Sequence, residues 1–116
     1  MHELSIAMSI TDIAQEEALK LNATEVLDIE IEVGLWAGVD CEALRFSLDA
    51  AKQYSALLKN SRINIIRKEP LMYCEGCNQE FRPDVQYTTN CSLCNSEKIK
   101  LIQGRELAVL SLNIKD

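Results

Sequence analysis

The sequence predicts an α+β protein, in which a small three-stranded mixed sheet with two helices is accompanied by an inserted zinc-ribbon-like module. Before residue 69, a segment with apolar residues at helical spacing is followed by one with alternating spacing, and this order occurs twice. Four of the five cysteines then form two Cys-x-x-Cys pairs, and a cysteine-free alternating segment ends the chain. Because 116 residues suffice for one modest domain and one metal-stapled module, we predict an α/β domain from residues 1–69 and 105–116 and an inserted domain from residues 70–104.

The first helix is predicted over residues 4–21, where apolar side chains recur at helical spacing. Asn22 follows as a stop signal. The predicted buried stripe consists of Ile6, Ile10, Ile13, Ala14, Ala18 and Leu21.

The first strand is predicted over residues 26–35, where the period changes to two and one face becomes acidic. Its predicted apolar face consists of Leu27, Ile29, Ile31, Val33 and Leu35. A second helix is predicted over residues 41–58, with Asp40 as its N-cap. Its predicted buried residues are Leu44, Leu48, Ala51 and Leu58, with Phe46 and Tyr54 nearby.

Two further strands complete the predicted sheet, one over residues 62–68 and one after Gly104. The last strand is predicted to share one apolar face among Ala108, Leu110, Leu112 and Ile114. Strands joined by a helical crossover run parallel, so the first two strands are parallel and the last runs antiparallel beside one of them. This order brings the N-terminus, the loop 36–40 and the start of the insertion to one edge.

The strongest chemical signal is the quartet Cys74, Cys77, Cys91 and Cys94. Two residues between cysteines let both thiolates of a pair face one tetrahedral ion, which predicts a structural zinc site without an open coordination position. Disulfides, an iron–sulfur centre and a redox pair are the alternatives. No secretory signal is visible, so we expect a reducing, cytoplasmic location that favours metal over disulfides.

Composition excludes several classes of function. A net charge of −6 disfavours contact with a phosphate backbone, although a zinc ribbon that binds nucleic acid is the main rival interpretation, ahead of a thiol oxidoreductase. No apolar run is long enough to span a bilayer. His2 is the single histidine, and no phosphate-binding glycine loop is present. The sequence therefore predicts a protein that is not an enzyme, binds no nucleic acid and does not enter membranes.

The N-terminus offers a second candidate metal site. The Met1 amine, the His2 backbone nitrogen and the His2 ring Nδ1 can close two chelate rings around one ion, and the Glu3 backbone nitrogen or the carboxylate of Glu3 or Asp40 can complete the set. A nitrogen-rich planar site suits Ni(II) or Cu(II) better than zinc. Asp40 has the alternative role of a helix N-cap.

The chain resembles the HypA/HybF family of nickel metallochaperones for [NiFe]-hydrogenase maturation. The resemblance runs end to end and lies in the N-terminal Met-His-Glu-Leu-Ser, the Val-Gly-x-x-x-Gly-Val loop at 33–39, both Cys-x-x-Cys pairs and the tail Gln-Gly-Arg-Glu-Leu at 103–107. It implies that His2, with Glu3 and nearby backbone nitrogens, binds Ni(II) as transferred cargo, while the four cysteines hold structural Zn(II).

The resemblance also implies partners, namely the accessory GTPase HypB and the hydrogenase large-subunit precursor, with urease as a further client in some bacteria. Monomer and homodimer both remain open. Asn95 stands where the family usually has glycine, and asparagine tolerates a left-handed backbone there. Trp36 is interpreted as a core anchor, with a partner contact as the alternative. Cys41 is interpreted as a small buried hydrophobe, with a soft additional metal ligand in the first turn of a helix as the alternative.

Overall fold

The protein contains two helices and two three-stranded sheets, as seen in a computed structural model that describes residues 3–116. The elements, in chain order, are α1 Glu3–Lys20, β1 Glu25–Gly34, α2 Cys41–Ala51, the 3-10 turn Lys52–Tyr54, β2 Arg62–Lys68, β3 Leu71–Cys74, β4 Gln79–Phe81, β5 Ile99–Gln103 and β6 Leu107–Lys115. The predicted α+β class is confirmed. Among residues 3–116, no helix combines the length and the apolar character needed to cross a bilayer.

The main sheet has the strand order β2-β1-β6, with β1 parallel to β2 and antiparallel to β6. The crossover between β1 and β2 contains α2, as the sequence predicts. The second sheet has the order β4-β3-β5 and is antiparallel throughout. Its strands all lie between β2 and β6 in the chain, while the domain bounds at 70 and 104 stay a prediction.

Helix α1 buries one stripe against the main sheet, but Ile13 and Leu21 are not part of it. Ala7 and Thr11 are buried in their place, whereas Ile13 is 49% exposed and Leu21 is 59% exposed. Asn22 ends the helix in the left-handed conformation, at φ 55°. The Ala23 N–H donates to the Ala18 carbonyl at 3.0 Å, which satisfies a carbonyl that the last turn leaves free.

Two β-bulges change which side chains of the main sheet face the core. An extra residue in β1 at Leu27 shifts the register against β6, so Val26 is buried and Leu27 is exposed. An extra residue in β6 at Leu110 shifts the register of that strand against β1. The prediction that Ala108 and Leu110 face the core is therefore wrong. The half-buried, core-facing residues of β6 are Leu107, Val109, Leu112 and Ile114.

Helix α2 is shorter than predicted and ends at Ala51. The chain tightens into the 3-10 turn and then extends at Ser55, where φ is −122° and ψ is 123°. Leu58 is fully buried as predicted, but from the turn that leads into β2. Phe46 and Tyr54 are 78% and 94% exposed and lie outside the core, and Leu35, 51% exposed, lies beyond the end of β1.

The two sheets meet at a junction where backbone packs directly on backbone. A Cβ on Gly34 would lie 2.1 Å from the carbonyl carbon of Gly104, a separation that no side chain tolerates. The Trp36 N–H donates to the Gly104 carbonyl at 2.7 Å, and the Leu35 N–H donates to the Lys68 carbonyl at 2.9 Å. The insertion therefore leaves and rejoins the main sheet beside the loop that follows β1.

Candidate metal centre

Two similar chain turns place the four cysteines. Cys74 ends β3, and its turn closes at Asn78 with φ 54°; the second turn closes at Asn95 with φ 64°. In both cases an asparagine directly follows the second cysteine of the pair and takes a left-handed conformation, which asparagine tolerates better than most residues. The expectation for Asn95 is thus confirmed. Asn78 follows Cys77 just as Asn95 follows Cys94, so the same turn signal is visible in the sequence.

The four sulfur atoms form one cluster. The Sγ atoms of Cys74 and Cys94 lie 3.5 Å apart, those of Cys77 and Cys91 lie 3.9 Å apart, and all four lie within 4.8 Å of one another. A tetrahedral ion with metal–sulfur bonds of about 2.3 Å requires sulfur separations of about 3.8 Å. The cluster therefore fits a tetrahedral metal ion, with Cys74 and Cys91 buried and Cys94 facing outward.

The thiols of the metal-free cluster differ in acidity. Burial raises the pKa of Cys77 to about 12, and the neighbouring sulfurs add to this effect. Burial also opposes ionisation of Cys74, but hydrogen bonds from the Cys77 and Gly76 N–H groups and from Cys94 lower the pKa of Cys74 to about 7. A metal ion that binds all four thiolates must therefore displace protons, so binding weakens as the pH falls.

Glu3 and Asp40 meet at the edge where α1 and α2 both begin. The Asp40 N–H donates to Glu3 Oε2 at 3.4 Å. Asp40 is also the predicted N-cap, because its Oδ1 accepts from the Glu42 and Ala43 N–H groups at 3.0 and 3.2 Å. Met1 and His2, the other two predicted nickel ligands, lie outside the described residues.

The loop between β1 and α2 joins this edge to the junction of the two sheets. Trp36 is half-buried in the loop and is not among the residues packed on the core, so its interpretation as a core anchor is wrong. Cys41 packs against the core as the predicted small hydrophobe would, but it is half-buried and not fully buried. The insertion begins on the same side as Glu3 and Asp40, as the strand order predicts.

The chain matches one family model over nearly its full length. Residues 1–114 match the family described as "Hydrogenase/urease nickel incorporation, metallochaperone, hypA". The chain belongs to the HypA family. Members of this family are metallochaperones and not enzymes, so the predicted resemblance is confirmed, as is the class of function, nickel incorporation into hydrogenase or urease.

Individual HypA relatives align with the whole chain. The Hydrogenase maturation factor HypA of Chlorobium phaeobacteroides (strain BS1) is 36% identical over 115 residues, covering 99% of this chain and 100% of the relative. That of Parabacteroides distasonis is 38% identical over 117 residues, covering 99% and 98%. Both relatives are named for hydrogenase maturation.

Two solved structures have the same fold. The solution structure of the Ni metallochaperone HypA from Helicobacter pylori is 23% identical, with a TM-score of 0.71 over 99% of this chain and 98% of that one. A second solution structure of HypA is 24% identical, with a TM-score of 0.75 over 98% and 96%. The arrangement of two helices and two small sheets is thus shared by the HypA structures.

Proposed function

We propose that this chain binds one Ni(II) ion at its N-terminal edge and delivers it during maturation of [NiFe]-hydrogenase, with urease as a further client. The family match over residues 1–114 carries this proposal. The proposed nickel ligands are the nitrogens of Met1 and His2, completed by Glu3 or Asp40. The contact between Glu3 Oε2 and the Asp40 N–H supports a shared site, since Glu3 follows His2 directly in the chain.

The proposed ligand set suits cargo that must be released. An amine, an imidazole and one or two carboxylates form a site of few ligands, and nitrogen donors in a planar arrangement favour Ni(II). The amine and the imidazole bind only when deprotonated, so nickel affinity rises between about pH 6 and 8. A closed four-thiolate site lacks this ease of release.

We assign Zn(II) to the cysteine cluster. Sulfur separations of 3.5 and 3.9 Å match a tetrahedral ion, and four thiolates are the donor set of structural zinc. Four cysteines that bind a metal ion and form no disulfide are typical of a reducing compartment, which supports a cytoplasmic location. The zinc ion holds the insertion together and takes no part in binding cargo.

The decisive experiment compares nickel titration of the untagged chain with that of His2→Ala. Loss of the nickel site in His2→Ala, with one zinc per chain retained in both proteins, is the expected result. An N-terminal extension before Met1 should weaken nickel binding, because it converts the amine to an amide. A nickel site that persists in His2→Ala would overturn the proposed ligand set, and mass spectrometry confirms the N-terminus in each sample.

Asp40 needs a separate test because it already caps α2. Asp40→Asn keeps an acceptor for the Glu42 and Ala43 N–H groups but removes the negative charge. If Asp40 is a nickel ligand, Asp40→Asn weakens nickel binding while thermal stability changes little. Asp40→Ala serves as the matched control and should lower stability by about 1 kcal/mol through loss of the cap. Unchanged nickel affinity in Asp40→Asn removes Asp40 from the ligand set.

The proposed partners are the accessory GTPase HypB and the hydrogenase large-subunit precursor. The hydrogenase-maturation names of the relatives support partners from this process. Mixing experiments with purified HypB and with the precursor, in the presence and absence of nickel, test each partner directly. A carrier should bind its client in the nickel-loaded state, and the absence of association with both proteins would contradict this part of the proposal.

A further inference from the structure

The cysteine cluster is open to solvent at one of its four positions. Cys94 is exposed, whereas Cys74 and Cys91 are buried and Cys77 is half-buried. The run 92–95, in which Cys94 lies, is exposed at every residue, so no neighbouring side chain of that turn covers it. A small solute that approaches the cluster from water therefore reaches Cys94 more readily than any of the other three cysteines.

A surface depression leads to the same cysteine. It has a volume of about 740 Å³ and lies between the loop 83–90 and the second cysteine turn. Cys94 lines this depression, and so does Cys91, but Cys91 is only 3% exposed. Neither cysteine of the first turn lines it. The second turn is thus the side from which a water-soluble reagent enters the cluster.

A close sulfur contact links Cys94 to the other turn. The Sγ atoms of Cys94 and Cys74 lie 3.5 Å apart, and those of Cys77 and Cys91 lie 3.9 Å apart. Each contact joins one Cys-x-x-Cys turn to the other. A disulfide bond is about 2.05 Å long, so the first pair needs to approach by only about 1.5 Å to form one. Such a bond would connect the two turns in place of the metal ion.

We propose that Cys94 is the oxidation site of the cluster, at which hydrogen peroxide produces a Cys74–Cys94 disulfide and causes release of the zinc ion. This inference rests on the zinc assignment proposed above. Cysteines that bind a metal ion are thiolates, the form of sulfur that peroxide oxidises. The Cys94 thiolate takes one oxygen atom from hydrogen peroxide, which leaves a sulfenic acid and one hydroxide ion. The Cys74 thiolate then attacks the Cys94 sulfur, and a second hydroxide leaves as the disulfide forms.

This two-electron oxidation removes half of the donor set. The peroxide gains the two electrons that the two thiolates lose, and only Cys77 and Cys91 remain as thiolate donors. A structural zinc ion requires four ligands, so the ion should leave the cluster. The new disulfide keeps the two turns joined, and a dithiol reductant reverses it by thiol–disulfide exchange. Oxidation at Cys94 is therefore a reversible way to release zinc from the inserted segment.

The test adds one equivalent of hydrogen peroxide to the untagged, zinc-loaded chain. A chromogenic chelator measures the released zinc, and dimedone traps the sulfenic acid in a parallel sample. Alkylation before digestion blocks the remaining thiols, and mass spectrometry then identifies the linked peptides. Glu-C cleaves after Glu75 and chymotrypsin after Leu93, so the two cysteines of each pair fall on different peptides. We expect dimedone on Cys94 and about one zinc ion released for each Cys74–Cys94 disulfide, with zinc binding restored by dithiothreitol and added zinc.

Cys41→Ala is the matched control, because it removes the one cysteine outside the cluster and should release zinc as the wild type does. A chain that keeps its zinc while Cys41 is oxidised would overturn the proposal. So would dimedone on Cys77, or a first disulfide between Cys91 and Cys94. Zinc content before peroxide is measured separately, and a chain that never holds zinc would contradict the zinc assignment itself.

Discussion

Asp28 links all three strands of the main sheet. Its carboxylate accepts from Arg62 of β2 through Nε at 2.8 Å and Nη2 at 3.3 Å, and from Asn113 Nδ2 of β6 at 3.0 Å. The hydrogen bond from Arg62, followed by that from Asn113, lowers the pKa of Asp28. One carboxylate therefore links β1 to both of its neighbouring strands on the face of the sheet that is turned away from the helices.

The lowered pKa predicts a specific response to acid. A carboxyl group whose pKa is lower in the folded state stabilises the fold above its unfolded pKa of 3.8, and this contribution disappears as the pH falls through the folded pKa. Asp28→Asn should therefore be less stable than the wild type near neutral pH, and the difference should shrink below about pH 4. Urea unfolding, followed by the amide signals of β1, measures the free energy of unfolding of both proteins at each pH. Asp84→Asn is the control, because it removes a carboxyl group from the inserted segment and loses zinc at acid pH in the same way as Asp28→Asn. A difference that stays constant with pH would contradict the assignment.

Gly34 is the residue on which the junction of the two sheets depends most directly. Gly34→Ala places a methyl group 2.1 Å from the Gly104 carbonyl, so the chain at Gly104 must move or the fold loses about 3 kcal/mol. Gly38→Ala is the control, because its Cβ meets no atom within 4 Å and only the backbone at φ 76° is strained, at about 1 kcal/mol. Urea unfolding measures the loss of unfolding free energy in both variants, which should be larger for Gly34→Ala. Equal losses would show that the backbone at Gly104 moves aside at little cost.

At the scale of elements, most of the fold follows from the sequence, and the wrongly predicted strand faces have one cause. The period of the apolar residues predicts β2 at its observed bounds, and the Cys-x-x-Cys spacing predicts the metal cluster. The faces of β1 and β6 are predicted wrongly around Leu27 and Leu110, because a bulge depends on pairing with a distant strand and leaves no mark in local spacing. The left-handed Asn22 and Asn95 were predictable, since asparagine itself signals the turn.

The inserted sheet should depend on its metal ion. Two of the four residues in its buried cluster, Cys74 and Cys91, are themselves proposed ligands, and only Met72 and Phe81 supply buried apolar side chains. So small a core does not hold a fold without a metal ion. Cys91→Ala should therefore lose zinc and expose the β3–β5 amides to hydrogen exchange, while the β1 amides stay protected.

Cys41→Ala provides the matched control for this experiment. It removes the one cysteine that lies outside the cluster, so zinc content and protection of β3–β5 should not change. Hydrogen exchange detected by mass spectrometry reports both sheets in one measurement. Protection of β3–β5 in zinc-free Cys91→Ala would show that the insertion is held by its packing on the main sheet.

The whole molecule is elongated, because the two sheets share little beyond the junction. Its radius of gyration is 17.6 Å, against about 13 Å for a compact chain of this length, and its principal extents are 53 × 26 × 16 Å. Most of the surface is therefore open to partners, and the net charge of −6 determines which partners are repelled.

This charge predicts that the chain does not bind nucleic acid in spite of its cysteine cluster. A ribbon that binds DNA or RNA needs a basic footprint, and four thiolates around one zinc ion make the inserted segment more negative by about two charges. A mobility-shift assay at low salt, with a basic zinc-ribbon protein as the positive control, should show no complex. Tight binding that weakens with added salt would contradict this prediction.

The touching ends of the insertion have a consequence for the speed of folding. Pairing of β1 with β6 joins residues 81 positions apart, such as Glu30 and Ser111, and is slow if the intervening chain must search freely. Pro70 and Gly104 are in contact, so an insertion that folds first takes about 34 residues out of this loop and lowers the entropic cost of pairing β1 with β6 by about 0.5 kcal/mol, which corresponds to about a twofold faster closure. Stopped-flow refolding should therefore be faster with zinc than without it, which would make the zinc ion a kinetic organiser of a sheet that it never touches.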